Sequence, residues 1–557
     1  MTQAPFFSTM MHAPMTVAMI ARHGMRIHSR SRVITCRPGG DEVATFAEVY
    51  QGAARLAQAL GRLGVGVGDR VATLCWNHRW HLEAYLAVPS MGAVLHTLNL
   101  RLHPEQLAYV IRHAEDRVLI VDAELLSLLA PVAEALAGVE HLVVVGGDGE
   151  VPALGAATHR YEALLAGEQP VFPEVALAET WGAAMCYTTG TTGHPKGVVY
   201  SHKTIFVHTL ASMARDTFGI GQDDRILLLP PMFHANAWGL PYTAWFAGAD
   251  LILPGPHLKA TDIRGLVERY RPTFTAMVPT LINDLLALHR ESPLDLSSLR
   301  VIVSGGSAVA PALIERVRDT WGVPVLQGWG MTETSPLCAL SVPPRDATPE
   351  EEIHWRSLAG RPVPGMQVRI ADEADLPLPE DGRTVGQLQL RGPWVTGGYY
   401  RHEGESPLTA DGWLRTGDLG TIDERGYVRI VDRLKDVIKS GGEWISSVDL
   451  EAALLRLPGV AEAAVIAVPD PRWEERPLAV VRLEDPSATP DIPAWREALR
   501  KQVASFWVPE YWAVVDDLPK TSVGKVDKKA LRAMRDSGRL PIAEVRNRRD
   551  ADAPARR

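Results

Sequence analysis

The segment from Tyr187 to Gly197 reads Tyr-Thr-Thr-Gly-Thr-Thr-Gly-His-Pro-Lys-Gly, and the interpretation of the whole chain starts from it. A strand-like run, Ala183 to Tyr187, leads into it, and a helix-like run begins near His202. Glycines allow tight turns and close approach to a ligand, threonine hydroxyls donate hydrogen bonds, and Lys196 carries a positive charge. The segment is therefore predicted to hold the phosphates of a nucleotide.

The spacing of this segment differs from that of a P-loop. A P-loop needs a Gly-Lys pair five residues after its first glycine, and position 195 is proline here. GTPase and kinase functions therefore lose their main support. The glycines between Gly61 and Gly68 do not form a dinucleotide-binding motif either, because its third glycine would fall at Asp69. We interpret that stretch as a helix end followed by a turn.

Composition indicates a soluble, folded protein with a small-molecule partner. Of 557 residues, 46% are hydrophobic and 22% are charged. The formal net charge of −9 provides no general attraction for nucleic acid or for an anionic membrane. We expect no membrane span, since no stretch supplies about 20 uninterrupted apolar residues. The four separated cysteines contain no CxxC pair, which favours reduced thiols and a cytoplasmic location.

Alternation of short apolar runs with helix-like stretches begins near Arg70 and predicts an α/β fold. Such alternation favours doubly wound, mostly parallel sheets. We predict a large N-terminal domain over residues 1–433 that contains two doubly wound sheets. Its later strands are predicted at Ala183 to Tyr187, Arg225 to Leu229, Thr273 to Val278 and Arg300 to Ser304.

The pattern changes after about Leu358 to shorter alternating strands separated by Gly and Pro. These predict a β-rich subdomain over about 358–433. Mixed helix-like and strand-like runs then predict a small, mobile α+β C-terminal domain over 434–540. Residues 541–557 lack apolar periodicity and are predicted to form a disordered tail.

Further motifs downstream carry chemistry of the same kind. A glycine pair can let a flat ligand lie against bare backbone. An aspartate in a tight turn can accept hydrogen bonds from two ribose hydroxyls. Charged residues around one pivot can exchange partners between two domain poses. The motifs are Ser304 to Ala308 (SGGSA), Gly328 to Thr334 (GWGMTET), Thr416 to Gly420 (TGDLG), Asp432 to Glu443 (DRLKDVIKSGGE) and Pro519 to Lys525 (PKTSVGK).

Together with the segment from Tyr187 to Gly197, these motifs resemble, in the same order, the adenylate-forming superfamily of acyl-CoA synthetases, adenylation domains and beetle luciferases. The resemblance covers roughly Asp41 to Lys529. It implies two half-reactions: a carboxylate attacks the α-phosphorus of ATP and expels pyrophosphate, and a thiol then attacks the acyl-adenylate and expels AMP. ATP, Mg²⁺ and CoA are the implied cofactor and co-substrates.

The resemblance also implies site residues. Glu333 and Thr188 are expected to bind Mg²⁺, which usually shares its ligands with substrate phosphates. The expected ATP and AMP contacts are Thr188, Thr189, Gly190, Thr191, Thr192, Lys196, Gly305, Gly306, Ser307, Gly328, Trp329, Gly330, Met331, Thr332, Asp418 and Arg433.

The resemblance implies that different lysines act in the two half-reactions. Lys525 is expected to bridge the substrate carboxylate and the α-phosphate during adenylation, where it would stabilise developing charge. Lys435 is expected to be the hinge. The pose that forms the thioester is expected to use Lys439, Gly441, Gly442 and Trp444.

The acid-binding pocket is predicted around His234 and Trp238, because Leu229 to Trp238 resembles the corresponding motif of fatty acyl-CoA synthetases. That resemblance implies that His234 lies near the carboxylate and that Trp238 gates an acyl tunnel. We find no carboxylate nearby that would pair with an amino-acid ammonium, so an apolar acid is expected. Gly305 and Gly328 leave room for a linear chain, and a medium-chain fatty acid is the first prediction. A short branched, aromatic or sulfur-containing acid is the alternative.

Two other functions stay open at this stage. The chain could load an acyl carrier protein instead of free CoA, or it could be a silent nucleotide-binding relative. The presence of Lys196, Glu333, Asp418, Lys439 and Lys525 argues against the silent relative. A homodimer is expected from resemblance alone.

Overall fold

The computed structural model describes residues 8–37, 39–188, 194–440, 443–521 and 526–545, without the side chain of Glu443. The chain divides into two compact units. The first comprises Met1–Thr188, Gly197–Leu258 and Tyr399–Arg401, and the second comprises Thr189–Lys196, Lys259–Gly398 and His402–Arg557.

The first unit alternates strands with helices. Its strands are β1 (Arg32–Thr35), β2 (Glu42–Thr45), β3 (Arg70–Leu74), β4 (Val94–Thr97), β5 (Asp116–Asp122), β6 (His141–Val145), β7 (Ala157–Arg160), β8 (Gly182–Tyr187), β9 (Gly197–Ser201), β10 (Arg225–Leu227) and β11 (Asp250–Leu253). Its helices are α1 (Val17–Ile27), α2 (Phe46–Arg62), α3 (Arg79–Ser90), α4 (Pro104–Ala114), α5 (Tyr161–Leu165), α6 (His202–Met213), α7 (Ala235–Trp238) and α8 (Leu240–Ala247), with 3-10 turns at Ala123–Leu128 and Ala130–Gly138.

The central sheet of the first unit has the strand order β7-β6-β5-β3-β4-β8-β9. Each pairing is parallel except that of β8 with β9. β5 and β6 are almost continuous buried apolar runs, as expected for parallel strands covered on both faces. In a separate group, β1 and β10 pair with β11 in parallel, and β2 pairs with β1 antiparallel.

Helix α2 shows how the sequence sets an element of this unit. Thr45 caps its N-terminus, and Glu48 completes a capping box by accepting from the Thr45 backbone N–H at 2.7 Å. Val49, Leu56 and Leu60 lie on one face at helical spacing and are fully buried. Burial of each such side chain contributes about 1.5–3 kcal/mol, so packing more than propensity holds the helix.

The second unit begins with further βα alternation and continues with antiparallel strands. Its strands are β12 (Phe274–Met277), β13 (Val301–Gly305), β14 (Val325–Gly330), β15 (Leu337–Leu340), β16 (Arg361–Pro362), β17 (Gln367–Ala371), β18 (Gly386–Arg391), β19 (Leu414–Ile422), β20 (Val428–Arg433), β21 (Ile438–Ser440), β22 (Glu443–Ile445), β23 (Val460–Asp470), β24 (Glu474–Leu483), β25 (Tyr511–Val514) and β26 (Ile542–Glu544). Its helices are α9 (Ala260–Tyr270), α10 (Pro279–Glu291), α11 (Pro311–Trp321), α12 (Pro349–Ser357), α13 (Ser447–Leu454), α14 (Ile492–Arg500) and α15 (Lys528–Asp536), with 3-10 turns at Thr332–Thr334 and Ser505–Trp507.

Three sheet regions organise the second unit. β12, β13 and β14 are parallel, and β15 and β16 continue antiparallel from β14. β17 to β20 form an antiparallel four-stranded sheet in chain order. Near the C-terminus the order is β22-β21-β24-β25-β26, with β23 paired to β24. The last sheet packs α13 and α14 through a core that includes Leu450, Val465, Trp495 and Trp512.

These observations confirm the α/β fold class, and the four strands predicted at Ala183, Arg225, Thr273 and Arg300 are observed as β8, β10, β12 and β13. The prediction of a disordered tail from 541 onward is wrong for Ile542–Glu544. That short strand pairs with β25 at Tyr511, Trp512 and Ala513, so backbone hydrogen bonding orders a segment without apolar periodicity. The rest of the predicted tail, from residue 546, lies outside the described residues.

Across the part of the chain that the structure describes, no helix combines the length and the apolar character needed to cross a membrane.

Candidate functional site

The predicted phosphate segment connects two antiparallel strands of the first unit. Tyr187 and Gly197 are register partners at the ends of β8 and β9, so the segment begins and ends at neighbouring positions of the sheet. Thr188 and Lys196 are partly buried at its two ends. The predicted phosphate contacts Thr189, Gly190, Thr191 and Thr192 lie outside the described residues. β9 was not predicted, because a five-residue strand between a turn and a helix has little periodicity of its own.

A polar network in the first unit fixes the start of this segment. The Tyr187 hydroxyl is hydrogen-bonded to Nδ1 of His113 at 2.7 Å, and its ring lies 5.1 Å from the ring of His96. His96 in turn pairs through Nδ1 with the buried carboxylate of Asp116 at 2.9 Å. Burial raises the pKa of Tyr187, so its hydroxyl remains protonated. Sequence analysis missed His96, His113 and Asp116, because their pairing depends on which strands and helices become neighbours.

The predicted adenine turn lies at the end of β13 in the second unit. Gly305 is buried in the strand, whereas Gly306 and Ser307 beyond it are exposed. Gly306 has φ +87°, a conformation that favours glycine. Gly305 is the register partner of Gly328 on β14, so two residues predicted to line the acid pocket are neighbours in the sheet.

The residues from Trp329 to Glu333 span the end of β14 and the start of the following 3-10 turn. Trp329, Thr332 and Glu333 have exposed fractions of 6%, 8% and 7%. The Glu333 carbonyl accepts a hydrogen bond from the backbone N–H of Thr396 at 2.8 Å. Gly330 has a packing role that the motif does not reveal, since a Cβ there would lie 2.1 Å from the carbonyl oxygen of Pro336. The partly buried Met331 lies between β14 and this 3-10 turn.

Three residues predicted to contact the nucleotide meet at one carboxylate. The indole Nε1–H of Trp329 donates to Oδ2 of Asp418 at 3.0 Å, and Nε of Arg433 lies 2.9 Å from Oδ1. Asp418 and Arg433 are register partners on β19 and β20. The Asp418 side chain is 5% exposed and that of Arg433 is 47% exposed. The carboxylate is thus oriented by two donors, as a hydrogen-bond acceptor for ribose hydroxyls must be.

The predicted hinge residue Lys435 lies between β20 and β21. The backbone N–H of Leu434 donates to the Gly417 carbonyl at 2.9 Å, and that of Val437 donates to the Arg433 carbonyl at 2.9 Å. Asp436 forms an ion pair with Arg532 of α15. The segment therefore makes contacts on both sides of the predicted pivot.

Lys439 and Trp444 lie opposite each other in the hairpin of β21 and β22. Directly opposed residues of an antiparallel pair project from the same face. Both side chains are exposed, and the Lys439 backbone N–H donates to Oε2 of Glu475 at 2.9 Å. Gly441, Gly442 and Lys525 are predicted site residues that lie outside the described residues.

The predicted acid-binding residues are the residue before a left-handed turn in the first unit, His234, and the last residue of that turn, Trp238. Ala235, Asn236, Ala237 and Trp238 have φ of 42°, 51°, 50° and 60°. This conformation costs non-glycine residues roughly 1–2 kcal/mol each, and such strain concentrates at functional sites. His234 and Trp238 are partly exposed on either side of the three buried residues.

Buried hydrogen bonds fix the chain that leads into this turn. The Asn77 side chain donates to the carbonyls of Leu228 and Pro230 at 2.8 and 2.9 Å and accepts from the Met232 backbone N–H at 2.8 Å. The Tyr85 hydroxyl donates to the Met232 carbonyl. Asn77 and Tyr85 are further functional neighbours that sequence analysis missed, since they lie about 150 residues upstream.

One other cluster of ligand-type side chains lies in the first unit. One ligand atom from each of Cys75, His78 and Asp122 lies within 4.8 Å of the others, and all three residues are buried. His78 contacts Asp122 Oδ1 through Nε2 at 2.7 Å and accepts the His81 N–H at Nδ1, while Asp122 Oδ2 accepts the Trp76 N–H. Because protein groups already occupy these atoms, we interpret the cluster as structural.

Comparison with known proteins defines the class to which this arrangement belongs. A family model described as AMP-binding enzyme matches residues 22–400, and one described as AMP-binding enzyme C-terminal domain matches residues 449–525. The long-chain-fatty-acid–CoA ligase of Thermus thermophilus is 45% identical over 95% of this chain and 97% of its own. A 3-methylmercaptopropionyl-CoA ligase of Ruegeria pomeroyi is 41% identical, covering 94% and 98% of the two chains. A medium-chain-fatty-acid–CoA ligase of Ectopseudomonas oleovorans is 37% identical, covering 94% and 96%.

A solved structure has the same fold. The anthranilate CoA ligase AuaEII in complex with anthranoyl-AMP matches with a TM-score of 0.85 and 27% identity, over 95% of this chain and 99% of that one. The chain therefore belongs to the AMP-binding enzyme family and is an ATP-dependent, AMP-forming acid:CoA ligase that acts through an acyl-adenylate.

Proposed function

We propose that the acid is a medium-chain fatty acid. The observation that carries this proposal is the left-handed turn Ala235–Trp238, which presents His234 and Trp238 from an apolar stretch. Leu229 to Tyr242 contains no Asp, Glu, Lys or Arg, so this stretch offers no charged partner for a second polar group on the acid. The two relatives named as fatty-acid–CoA ligases, one long-chain and one medium-chain, support an aliphatic substrate.

A sulfur-containing short acid is the second candidate. The relative named 3-methylmercaptopropionyl-CoA ligase is 41% identical to this chain, which is above the identity of the medium-chain relative, 37%. A thioether is apolar and polarisable, so the same apolar stretch would accept it. The chain length of the preferred acid therefore distinguishes the medium-chain fatty acid from the short sulfur-containing acid.

The roles of the site residues in the first half-reaction form part of the proposal. Lys525 would hold the acid carboxylate beside the α-phosphate, so that the carboxylate oxygen attacks phosphorus and pyrophosphate leaves. His234 would lie near that carboxylate. Asp418 would accept hydrogen bonds from the ribose, with Trp329 and Arg433 fixing its orientation. Gly305, Gly306 and Ser307 would line the adenine.

Mg²⁺ would be held by the Glu333 carboxylate and the Thr188 hydroxyl, together with phosphate oxygens. Hard oxygen donors of this type fit Mg²⁺, which retains waters and rarely uses a complete protein cage. When bound, it would neutralise phosphate charge during adenylation. Lys196 would contact the same phosphates.

The second half-reaction would use another pose of the C-terminal domain. We propose that residues 434–540 rotate about Lys435 and bring Lys439, Gly441, Gly442 and Trp444 to the acyl-adenylate. The CoA thiol would then lose its proton to solvent water, its sulfur would attack the acyl carbon, and the bond from the acyl carbon to the phosphate oxygen would break to release AMP. The exposure of Lys439 and Trp444 on one face of their hairpin supports this proposal. We further propose a cytoplasmic homodimer, from the cysteine usage and the family resemblance.

The experiment is an AMP-release assay with ATP, Mg²⁺ and CoA over unbranched acids from acetate to palmitate, 3-(methylthio)propionate and benzoate. The proposal expects the highest kcat/KM with an acid of about six to twelve carbons, since each buried methylene contributes about 0.8 kcal/mol until the pocket is filled. A maximum at 3-(methylthio)propionate, or at benzoate, would overturn it.

A matched pair of variants tests the pocket. A Cβ on Gly328 would lie 3.6 Å or more from Val303, Leu340 and Leu337, which is ordinary contact, so Gly328→Ala should fold. If Gly328 faces the acyl chain, its added methyl group should shift the preferred acid to a shorter chain. Gly265→Ala on α9, with nothing within 4 Å of the added carbon, is the control and should leave the preference unchanged.

A further inference from the structure

Four consecutive non-glycine residues, Ala235 to Trp238, adopt a left-handed conformation before Gly239, with φ +75°. L-amino acids visit this region as single residues and rarely in runs, so the surrounding structure must hold the turn in place. Asn236 is the member of the run that tolerates the conformation best, because Asn is enriched there. Contacts with surrounding residues must therefore stabilise this turn.

Cys186 provides contacts beneath the turn. Its side chain is 1% exposed, and its thiol donates to Oδ1 of Asn236 at 3.3 Å. The thiol thus contacts the side chain of Asn236, a residue in the first half of the turn.

Thr97 extends this support to the residue before His234. Its hydroxyl lies 3.4 Å from the Cys186 sulfur and donates to the Phe233 carbonyl at 3.4 Å. At the other end, a Cβ on Gly239 would lie 2.7 Å from the His208 ring, so the turn can end there only in glycine. Packing and hydrogen bonds therefore constrain the chain at both ends of the left-handed run.

Cys186 also occupies a particular place in the chain. It is the penultimate residue of β8, directly before Tyr187, where the phosphate segment begins. The same residue therefore contacts the turn between His234 and Trp238 and belongs to the strand that enters the phosphate segment. Direct side-chain contact of this kind can align two parts of a reaction site.

We propose that Cys186 and Asn236 are positioning residues for the acid: their contact holds the left-handed turn in the conformation that presents His234 and Trp238 to the acyl chain. This inference rests on the proposed role of His234 and Trp238. It assigns neither residue a chemical step, since the thiol is fully buried and burial raises the pKa of Cys186.

The first test compares substitutions of two buried thiols of the same unit. Cys186→Ala removes the contact, Cys186→Ser retains a donor of similar size, and Cys36→Ala is the control at a buried thiol elsewhere. KM for the acid, KM for ATP, kcat and Tm are measured for each variant with fatty acids of increasing length. We expect Cys186→Ala to raise KM for the preferred acid about fivefold or more, the effect of one lost buried hydrogen bond, with KM for ATP within about twofold of wild type.

Cys186→Ser should restore KM for the acid to within about twofold of wild type if the hydrogen bond is what matters. Asn236→Gly and Asn236→Ala extend the test, because glycine retains the left-handed freedom and alanine does not. Both should alter the preference for chain length, and alanine should do so more strongly. Equal chain-length profiles for Cys186→Ala, Cys36→Ala and wild type would overturn the inference.

The outcomes also test the positioning role of Cys186 and Asn236 independently of the proposed identity of the acid. If the wild-type enzyme prefers another acid, the proposed fatty acid is wrong, and the same variants assayed with that acid still decide the inference. A loss of Tm without a selective rise in KM for the acid would show a structural role alone and would overturn the positioning role.

Discussion

The Trp329 indole N–H donates a hydrogen bond to Asp418 Oδ2 at 3.0 Å, and this contact joins two sequence motifs that are 89 residues apart. Arg433 contacts the other oxygen of the same carboxylate at 2.9 Å. Trp329 and Asp418 are both buried, so the indole N–H restricts the carboxylate in a region of low dielectric constant. The geometry leads to a specific expectation for ATP binding.

Trp329→Phe should raise KM for ATP by about fivefold to tenfold and change KM for the acid little, because it removes one oriented hydrogen bond and keeps most of the packing. Asp418→Ala should raise KM for ATP further. ATP/pyrophosphate exchange measures both constants. Trp181→Phe is the matched control at an exposed tryptophan. Equal KM for ATP in Trp329→Phe and wild type would remove the role of this indole.

The two lysines of the proposed half-reactions should give opposite defects. Lys525→Ala should lower acid-dependent ATP/pyrophosphate exchange by about 100-fold or more, as expected for a lost charge contact in the transition state, and should still convert supplied acyl-adenylate with CoA. Lys439→Ala should reduce the conversion of acyl-adenylate and retain exchange. Lys501→Ala, at an exposed lysine, is the control for both assays. Loss of both half-reactions in either variant would contradict the division of roles.

Acid should destabilise the protein through buried neutral histidines. His202 is fully buried, its Nδ1 accepts the backbone N–H of Val17 at 3.2 Å, and burial lowers its pKa to about 4. The unfolded chain takes up a proton near pH 6.5 and the folded chain does not until about pH 4, so the free energy of unfolding falls as pH decreases between these values.

Each such histidine contributes up to about 1.4 kcal/mol per pH unit to this slope. His202→Gln should therefore reduce the pH dependence of the free energy of unfolding between pH 6.5 and 4, measured by denaturant titration. His12→Gln, at an exposed position, is the control. His81 and His208, with pKa values lowered by burial to about 3 and about 4, should maintain a residual slope. An unchanged slope in His202→Gln would contradict the assignment.

A largely buried ion pair should stabilise the C-terminal part of the second unit. Lys528 Nζ lies 2.7 Å from Glu451 Oε1 and donates to Ser447 Oγ at 2.6 Å. Lys528→Ala leaves the Glu451 carboxylate without this partner and should lower the free energy of unfolding by about 2–3 kcal/mol. Lys529→Ala, one residue along the same helix and exposed, should change it by less than about 0.5 kcal/mol. Denaturant titration measures both, and equal effects would show that the pair contributes nothing specific.

The fold class could be predicted because alternating strands and helices produce a recognisable pattern in the local sequence. Each strand of a buried parallel sheet is a short apolar run, and the runs at Ala183, Arg225, Thr273 and Arg300 are bounded by turns. Ile542–Glu544 could not be predicted in this way. Its place at the edge of a sheet is set by pairing with Tyr511–Ala513, and it has no apolar pattern of its own.

The candidate site likewise has a part that could be predicted from the sequence and a part that could not. The residue types needed for phosphate and ribose binding stand in contiguous motifs, so Lys196, Glu333 and Asp418 are visible as candidates in the sequence. Other contacts around the site join residues that are distant in sequence. His113 contacts Tyr187 across 74 residues, and Cys186 contacts Asn236 across 50.

The sequence by itself determined the class of reaction through the resemblance of its motifs to the adenylate-forming superfamily. Such motifs are visible because a nucleotide site needs glycine, hydroxyl, carboxylate and lysine at short spacings. The tertiary structure alone decided how the carboxylate of Asp418 is oriented and how Ala235 to Trp238 is held in a left-handed turn. Both depend on contacts between residues that are remote in the chain. Such contacts form only when burial of the surrounding side chains brings those residues together.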